Sequence, residues 1–379
     1  SGRQIMVVNA GGGSLHLSLY DWQAQQEVAA EYIDWTRQDD DSGVHAHADA
    51  LKALLERLDV SRVAAVGHRI VHGGARFQHA VLIDREVRAE IERLVELAPL
   101  HNKPALEGIR AVEIAFRDVP QVAAFDTTFH RTLAPPAYMY PLPYEWYERW
   151  GLRRFGFHGL SHAYCAERAA TLLGRRPEEI RLVNCHLGSG CSLAAIDGGK
   201  SVATTMGFTP LEGLMMATRS GSVDPGLLLY LLTQQRLDAE RLEDALNHRS
   251  GLQGIAGVSD MRDLLEARSK GDARAALAFD MYTLRLREGI GAMATHLGGL
   301  DALVFTDGVG ENAAEVRQAT VEPLGWLGVE LDADANAAAK PDVDVATIGS
   351  RVRVLVIHTR EELMVARETR RVLEALGSG

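Results

Sequence analysis

The stretch IMVVNAGGGSLHLSLYD at residues 5–21 decides how the fold is interpreted. An apolar run meets one asparagine and three glycines, and Leu15, Leu17 and Leu19 then alternate with polar neighbours. This pattern predicts a strand, a tight turn and a second strand. Glycines let backbone N–H groups approach a ligand closely, and a row of such groups can bind an anion. The stretch alone fits a phosphate site and an ordinary glycine turn equally well.

A loose copy of this stretch lies in the other half of the chain. VNAGGGSL at 8–15 resembles VNCHLGSGCSL at 183–193, and each follows an apolar run and precedes an alternating strand. Helical periodicity alternates with β-rich runs: the helices are expected at 49–58, 86–97, 105–116, 161–173, 275–297 and 361–376, and the strands at 63–66, 122–125, 181–186, 303–306 and 352–357. We therefore predict an α/β protein with a duplicated fold and a nucleotide between its halves.

The composition excludes several classes of partner. The 379 residues carry a formal net charge of −11 and no basic block, which argues against nucleic acid and anionic membrane surfaces. No apolar stretch reaches the length of a transmembrane helix. Cys165, Cys185 and Cys191 have neither zinc nor disulfide spacing, so a reduced, cytoplasmic protein is expected.

Three other features are interpreted as structural. GGKS at 198–201 resembles the end of a P-loop, but Ala194 stands where the first glycine is needed, and Asp-Gly-Gly predicts a hairpin. His45 and His47 form an HAH pair that we assign to a solvated loop, because no further metal ligand lies at a useful spacing. The proline-rich segment 133–143 is expected to break helices and strands and to mark a domain boundary.

Five features carry chemistry. Arg69, in VGHRIVHGG, ends an apolar strand and needs an anionic partner, either a ligand or an internal carboxylate. Asp126 follows another strand, where α/β sheets expose groups that face ligands. His158 precedes a helix, and Arg219 lies in a loop rich in glycine and serine. TDGVGENAAEVR at 306–317 predicts a strand, a glycine turn and a helix start suited to a nucleotide. Together these features indicate phosphoryl transfer.

The ordered motifs resemble those of the acetate kinase family over nearly the whole chain. They are VNAGGGS, VGHRIVHGG, LAPLHN, FDTTFH, RRFGFHGLSH, CHLGSG, MGFTPLEGLMMATRSGSVDP, GVSDMRDL, GVGEN and TREELMVARET, of which MGFTPLEGL and FGFHGLSH are the most specific. The resemblance implies two duplicated actin-like (ribonuclease H-like) α/β domains, 1–132 with 363–379 and 133–362, with an active-site cleft between them. It also implies a homodimer.

The resemblance further implies in-line phosphoryl transfer between ATP and a short carboxylic acid, giving an acyl phosphate and ADP, with Mg²⁺ or Mn²⁺ as cofactor. Arg69 and Arg219 would hold the carboxylate and the migrating group, Asp126 would orient or activate the acyl oxygen, and His158 would stabilise the transition state. Asn9 and Glu361 match the residues that manage the metal, and His101 and His186 match supporting histidines. The acyl pocket would be formed by Val71, Leu100, Phe157 and Pro210. Because a methylene changes selection by only about 1–3 kcal/mol, acetate over propionate is a preference. The nucleotide positions would be Gly12, Ser14, His16, His186, Gly188, Ser189, Gly190, Asp260, Met261, Arg262, Asp307, Gly308, Val309, Gly310 and Asn312.

The donor side departs from the family pattern. The first hairpin usually reads Gly-Ser-Ser-Ser-x-Lys, whereas here two hydroxyls are missing and His16 replaces the lysine. Ser189 stands where asparagine is usual, and Asp307 where a small neutral residue is usual. Three alternatives therefore stay open: an ATP-dependent acetate or propionate kinase, the same fold with another donor such as pyrophosphate or another short acid, and a catalytically weak sensor of nucleotide or acyl phosphate. Asp260 and Arg262, which match the adenine side, speak against pyrophosphate.

Overall fold

The computed structural model describes residues 2–35, 46–96 and 99–377, with the side chains of 99–101 outside the description. The strands are β1 Gln4–Ala10, β2 Ser14–Asp21, β3 Glu27–Asp34, β4 Val63–Ile70, β5 Val81–Leu82, β6 Gln121–Phe125, β7 Arg181–Leu187, β8 Cys191–Asp197, β9 Lys200–Thr204, β10 Ala302–Thr306, β11 Val343–Asp344 and β12 Arg353–Val356. The α-helices are α1 His47–Leu55, α2 Arg85–Arg93, α3 Pro99–Ala115, α4 Pro135–Tyr138, α5 Tyr144–Trp150, α6 Gly159–Leu173, α7 Pro225–Thr233, α8 Ala239–His248, α9 Gly251–Ala256, α10 Met261–Ser269, α11 Ala273–Leu297, α12 Asp307–Asn312, α13 Ala314–Val321, α14 Ala333–Ala337 and α15 Glu361–Gly377.

The chain divides into two compact units. The first contains Ser1–Arg131, Phe157–Ser161 and Arg360–Gly379, and the second contains Thr132–Gly156 and His162–Thr359. Each unit is built on its own sheet.

The first sheet has six strands in the order β3-β2-β1-β4-β6-β5. β1 is antiparallel to β2 and parallel to β4, and β4 is parallel to β6. β1 is apolar along almost its whole length because helices cover both of its faces. Met6 and Val8 pack in a core with Leu51, Leu54 and Val112, which lie on or beside α1 and α3.

α15 covers the other face of this sheet closely. A Cβ atom placed on Gly67 of β4 would overlap Thr369 and Val365 of α15, so only glycine permits this approach. The helix begins at Glu361, and its first residues consequently lie near the end of the strands that carry Asn9 and Arg69.

The second sheet repeats the order of the first. Read from one edge it runs β9-β8-β7-β10-β12-β11, with the same sequence of antiparallel and parallel pairings. In both sheets a strand of seven residues is followed by a turn of three residues and a second antiparallel strand. This repetition confirms the predicted duplication of an α/β fold.

Most of the predicted elements are present at nearly the predicted bounds, and GGKS lies in the β8–β9 hairpin, where Asp197 pairs with Lys200. The three cysteines are free and buried. The prediction that the proline-rich segment breaks helices is wrong, because α4 lies within it. A proline in the first turn of a helix loses no intrahelical hydrogen bond, so Pro135 starts this helix and does not break it.

Within the described ranges, the helices are too short or too polar to span a lipid bilayer.

Candidate active site

The first glycine hairpin forms one wall of a cavity of about 510 Å³ in the first unit. β1 and β2 pair until Ala10 faces Leu15, and the Gly11 N–H then donates to the Ser14 carbonyl at 2.9 Å. Gly12 is exposed at the tip of the turn. The cavity is lined by Asn9, Gly11, Ser14, His16, Tyr32 and Arg69. The sequence predicted all of these as site residues or hairpin residues except Tyr32, which β3 brings opposite His16.

Arg69 is held at the carboxyl end of β4 by two carboxylates. Its Nη2 lies 2.7 Å from Asp126 Oδ2 and 3.7 Å from Glu361 Oε1, and its Nε donates to Asp126 Oδ1 at 3.3 Å. Nη1 donates to Asn9 Oδ1 at 3.4 Å. Burial opposes the charge on Arg69, but Asp126 and Glu361 outweigh this effect and raise its pKa. The internal ion pair that the sequence left open is therefore present, and three predicted residues surround the Arg69 guanidinium.

Glu362 is a site residue that the sequence analysis missed. Its Oε1 accepts from Asn9 Nδ2 at 3.3 Å and lies 3.4 Å from His16 Nδ1. Burial opposes ionisation of Glu362, but the hydrogen bond from His16 and the nearby charge of Arg69 lower its pKa to about 2. The same bond to Glu362 raises the pKa of His16, against the effect of burial. The available signal was the adjacent pair of glutamates at the start of the last helix.

His47 corrects the prediction of a solvated loop. It is buried at the start of α1, with Nε2 2.7 Å from the Gly11 carbonyl and Nδ1 2.6 Å from Glu107 Oε2. Its ring also packs edge-on against Trp35, with centroids 5.0 Å apart. The imidazole thus ties the first hairpin to α3. His45 lies outside the described residues.

The structure describes the side chains of some of the residues predicted to form the acyl pocket. Phe157 is buried and its ring meets His72 edge-on at 5.2 Å, while Val71 is half-buried directly after β4. His72 is fixed by Asn102, which accepts from its N–H at 3.0 Å and donates to its carbonyl at 2.9 Å. The side chains of Leu100 and His101 lie outside the described part of the chain.

His158 follows Phe157 directly and has a φ of 55°, a left-handed backbone that is uncommon for a residue with a side chain. The next N–H, that of Gly159, donates to the Asp126 carbonyl at 2.9 Å. His158 and Asp126 are therefore brought close along the backbone within the first unit.

The second hairpin joins β7 to β8 in the second unit. Gly188 donates to the Gly190 carbonyl at 3.1 Å, and the Ser189 carbonyl accepts from Ala217 at 3.1 Å. The buried His186 side chain lies at the end of β7, with Nε2 3.3 Å from Asp307 Oδ2. The structure therefore brings together His186, the hairpin and the start of the glycine turn after β10.

Arg219 lies in the loop that Ala217 ties to this hairpin. Its Nη1 donates to the Pro210 carbonyl at 2.9 Å. Among the described residues, no carboxylate lies within ion-pair distance of its guanidinium, and burial lowers its pKa. A buried cation of this kind is stabilised by an anionic ligand.

The predicted nucleotide turn forms α12, in which Asn312 Nδ2 donates to the Gly308 carbonyl at 2.8 Å; Val309 lies between Gly308 and the buried Gly310. Its first N–H, that of Asp307, donates to Glu311 Oε1 at 3.0 Å, so this part of the helix start is bonded internally. Arg317, which was not predicted, is fully buried and donates to the Gly310 carbonyl at 2.9 Å. Its position at the end of the quoted motif was the available signal.

The predicted adenine-side residues lie at the start of α10. The Asp260 carboxylate caps the helix by accepting from the Arg262 N–H at 2.8 Å, and it also binds the Arg262 side chain at 2.6 Å. Met261 is buried beside it. The exposed Arg262 is therefore oriented by its own helix cap.

The chemistry of the first-unit donors suits a magnesium ion. Mg²⁺ binds oxygen, keeps several waters and needs only one or two carboxylates besides phosphate. The Asn9 amide and the Glu361 carboxylate supply such oxygens next to Arg69. In the described ranges, no three histidine, cysteine, aspartate or glutamate side chains converge on a metal site.

Comparison with known proteins gives a consistent result. A family model described as the Acetokinase family matches residues 4–367. An acetate kinase of Gloeobacter violaceus is 48% identical over 398 residues, which cover 96% of this chain and 98% of that protein. An acetate kinase of Nostoc punctiforme is 51% identical over 372 residues, covering 98% and 88%.

Solved structures agree with this similarity. The crystal structure of Porphyromonas gingivalis acetate kinase is similar with a TM-score of 0.89 and 35% identity, covering 98% of this chain and all of that one. A propionate kinase from Francisella tularensis has a TM-score of 0.89 and 34% identity over the same shares.

Proposed function

The chain belongs to the acetokinase family, and from that premise we propose that it catalyses the reversible transfer of the γ-phosphoryl group of ATP to acetate or propionate. It is a phosphotransferase with a carboxylate acceptor. In the forward direction a carboxylate oxygen forms the new bond to the γ-phosphorus. The bond from that phosphorus to the bridging oxygen breaks, and ADP leaves with the electron pair. The products are an acyl phosphate and ADP.

The cluster around Arg69 is the observation that carries this proposal. Asp126 accepts two hydrogen bonds from the Arg69 guanidinium, so the cation is fixed before substrate binds. A fixed cation costs no reorganisation when charge develops on the transferring oxygens. In our proposal Arg69 holds the acyl carboxylate, and Asp126 orients both Arg69 and the attacking oxygen.

Arg219 and His158 take the migrating phosphoryl group in this proposal. The charge of Arg219 is not matched by a described carboxylate, which supports its use on an anion. His158 is displayed on a left-handed backbone directly before α6, and it donates a hydrogen bond to the developing charge.

Asn9 and Glu361 would hold Mg²⁺, which when bound neutralises charge on the phosphates of the nucleotide. Their contacts with Arg69 are long, at 3.4 and 3.7 Å, so the guanidinium does not bind either oxygen tightly. Nucleotide would lie on the second hairpin, α10 and α12, through the residues predicted for it above.

Val71, Leu100, Phe157 and Pro210 would enclose the alkyl group of the acid. The buried Phe157 ring, fixed against His72, supports a small pocket. Acetate and propionate differ by one methylene, so both are expected to react.

The deciding experiment measures acyl phosphate, trapped with hydroxylamine, for acetate, propionate and butyrate with ATP, GTP and pyrophosphate. Turnover with ATP and acetate or propionate supports the proposal. Turnover with pyrophosphate alone would assign the changes at His16, Ser189 and Asp307 to another donor. Nucleotide binding without turnover for any pair would favour a sensor.

We also propose a homodimer, formed through α7. This helix exposes Leu227, Leu229, Tyr230 and Leu232, of which Leu229 is 62% accessible. An apolar helix with no buried side chain is typical of a surface that a second chain covers. Light scattering is expected to give twice the chain mass, and Leu229→Glu is expected to shift it toward the monomer.

We also propose two domains, the first formed by 1–132 with 363–379 and the second by 133–362. The proposed location is the cytoplasm. Three free buried cysteines support a reducing compartment.

A further inference from the structure

Asp307 occupies an unusual place in the second unit. It is the first residue of α12 and has a φ of 65°, in the left-handed region that asparagine, aspartate and glycine tolerate best. Its Oδ2 lies 3.3 Å from His186 Nε2. The same oxygen lies directly against Gly188, because a Cβ atom placed on that glycine would collide with it.

The Asp307 carboxylate therefore lies against the backbone of the second hairpin. Bare glycine backbone lets a phosphate oxygen approach closely, and His186 offers a ring nitrogen at the same point. In this chain the Asp307 carboxylate already contacts both groups. An anionic oxygen thus lies where an anionic phosphate would bind.

The carboxylate also has room to leave. The Asp307 side chain is 39% exposed, whereas that of His186 is 5% exposed. The imidazole is therefore fixed by its surroundings, while Asp307 can rotate toward solvent.

We propose that the Asp307 carboxylate occupies a phosphate position on the second hairpin and must be displaced before nucleotide binds. Asp307 is then a determinant of donor affinity: it weakens binding of any polyphosphate and adds nothing to the transfer step. This inference rests on the proposed function, because it assumes that nucleotide phosphates lie on this hairpin.

The test measures the Kd for ADP by calorimetry without acid substrate, together with the KM for ATP, in the wild type, Asp307→Asn and Asp307→Gly. Asparagine keeps the size and the backbone preference and removes the charge, and glycine also removes the side chain. We expect both variants to bind ADP about tenfold more tightly, because a like charge within a few ångströms is removed. The KM for ATP is expected to fall by a similar factor.

Asp280→Asn is the matched control. It removes one negative charge from the exposed side of α11 in the same unit, so it reports the effect of net charge alone. Its Kd is expected to equal that of the wild type. Raising the salt concentration is expected to narrow the gap between the wild type and Asp307→Asn.

Equal or weaker ADP binding by both Asp307 variants would overturn the inference, since the carboxylate would then be neutral or a ligand for the bound metal complex. A different result would show that the proposed function is wrong. If the wild type shows no turnover with ATP while the variants bind ADP more tightly, the kinase assignment fails and the inference stands. Absence of ADP binding in all proteins would overturn both.

Discussion

The two glycine hairpins occupy the same place in two sheets of the same order, yet the residues at the end of the adjacent parallel strand carry opposite charge. Beside the first hairpin, the neighbouring parallel strand β4 carries the cation Arg69. Beside the second, the neighbouring parallel strand β10 is followed by the anion Asp307. The topology thus fixes where an anion site can form, and the residue at the end of the adjacent strand decides how readily an anion binds.

Removing the cations gives the largest expected effect. Arg69→Ala or Arg219→Ala should each lower kcat by about 10²-fold or more, because charge on the transferring group loses its fixed partner. Initial rates of acyl phosphate formation measure this. Arg69→Lys is the matched variant, and it should recover little because one ammonium cannot reproduce the paired hydrogen bonds to Asp126. Near-normal kcat in both alanine variants would contradict the assignment.

Replacing one glycine in each hairpin tests how closely neighbouring side chains approach its backbone. In Gly188→Ala the new methyl group forces the Asp307 carboxylate to rotate away from His186, and we expect a loss of about 1–2 kcal/mol in unfolding free energy from that lost contact. In Gly11→Ala it meets only the rotatable Ser14 hydroxyl, at 2.5 Å, and we expect a loss of under about 1 kcal/mol beyond the backbone effect. Urea unfolding measures both. In the Asp307→Gly background Gly188→Ala should cost little further, and equal costs at the two glycines would contradict the difference between the hairpins.

His47 supports the first hairpin through its contact with the Gly11 carbonyl. His47→Ala should lower the unfolding free energy by about 1–3 kcal/mol, because the Gly11 carbonyl and Glu107 lose a buried partner. It should also raise the KM for ATP more than it lowers kcat. Lys52→Ala, at an exposed position of α1, is the control. Unchanged stability and KM would show that the first hairpin holds its shape without this tie.

His16 offers a smaller change in the same hairpin. Lysine at this position carries a fixed charge toward the cavity that His16 lines, so His16→Lys should lower the KM for ATP by a few fold, or about 1 kcal/mol. Steady-state kinetics across ATP concentrations measures this. An unchanged or higher KM would place His16 away from the donor phosphates.

The pH dependence of the His16–Glu362 pair gives the smallest effect. Because Glu362 raises the pKa of His16, the pair contributes fully below pH 6.5 and loses its contribution as the pH rises through the folded pKa. The unfolding free energy of the wild type relative to His16→Gln should therefore fall by under about 1 kcal/mol between pH 6 and pH 9. The lowered pKa of Glu362 adds stability above pH 4.5 that is lost as the pH falls toward 2. In the Glu362→Gln background this fall between pH 6 and pH 9 should vanish.

Local pattern predicted the fold well. Apolar runs next to glycine turns marked the strands, and 3.6-residue periodicity marked the long helices, because these signals depend on neighbours in the chain. The errors occurred where that information is ambiguous. The proline-rich pattern predicts a break although proline also suits a first helical turn. The pattern around His47 predicts a solvated loop because its partners, Gly11 and Glu107, are distant in sequence.

The sequence by itself determined the duplicated α/β plan, the two hairpins and the residue types that suit phosphoryl transfer, since each is written in a short contiguous motif. Only the tertiary structure decided which groups meet: that Glu362 joins Asn9 and His16, that Arg317 holds the glycine turn, and that Asp307 lies on Gly188 beside His186. Those contacts arise because parallel strands place their carboxyl ends at one edge of a sheet. Residues far apart in the chain are therefore brought within hydrogen-bond distance by packing alone.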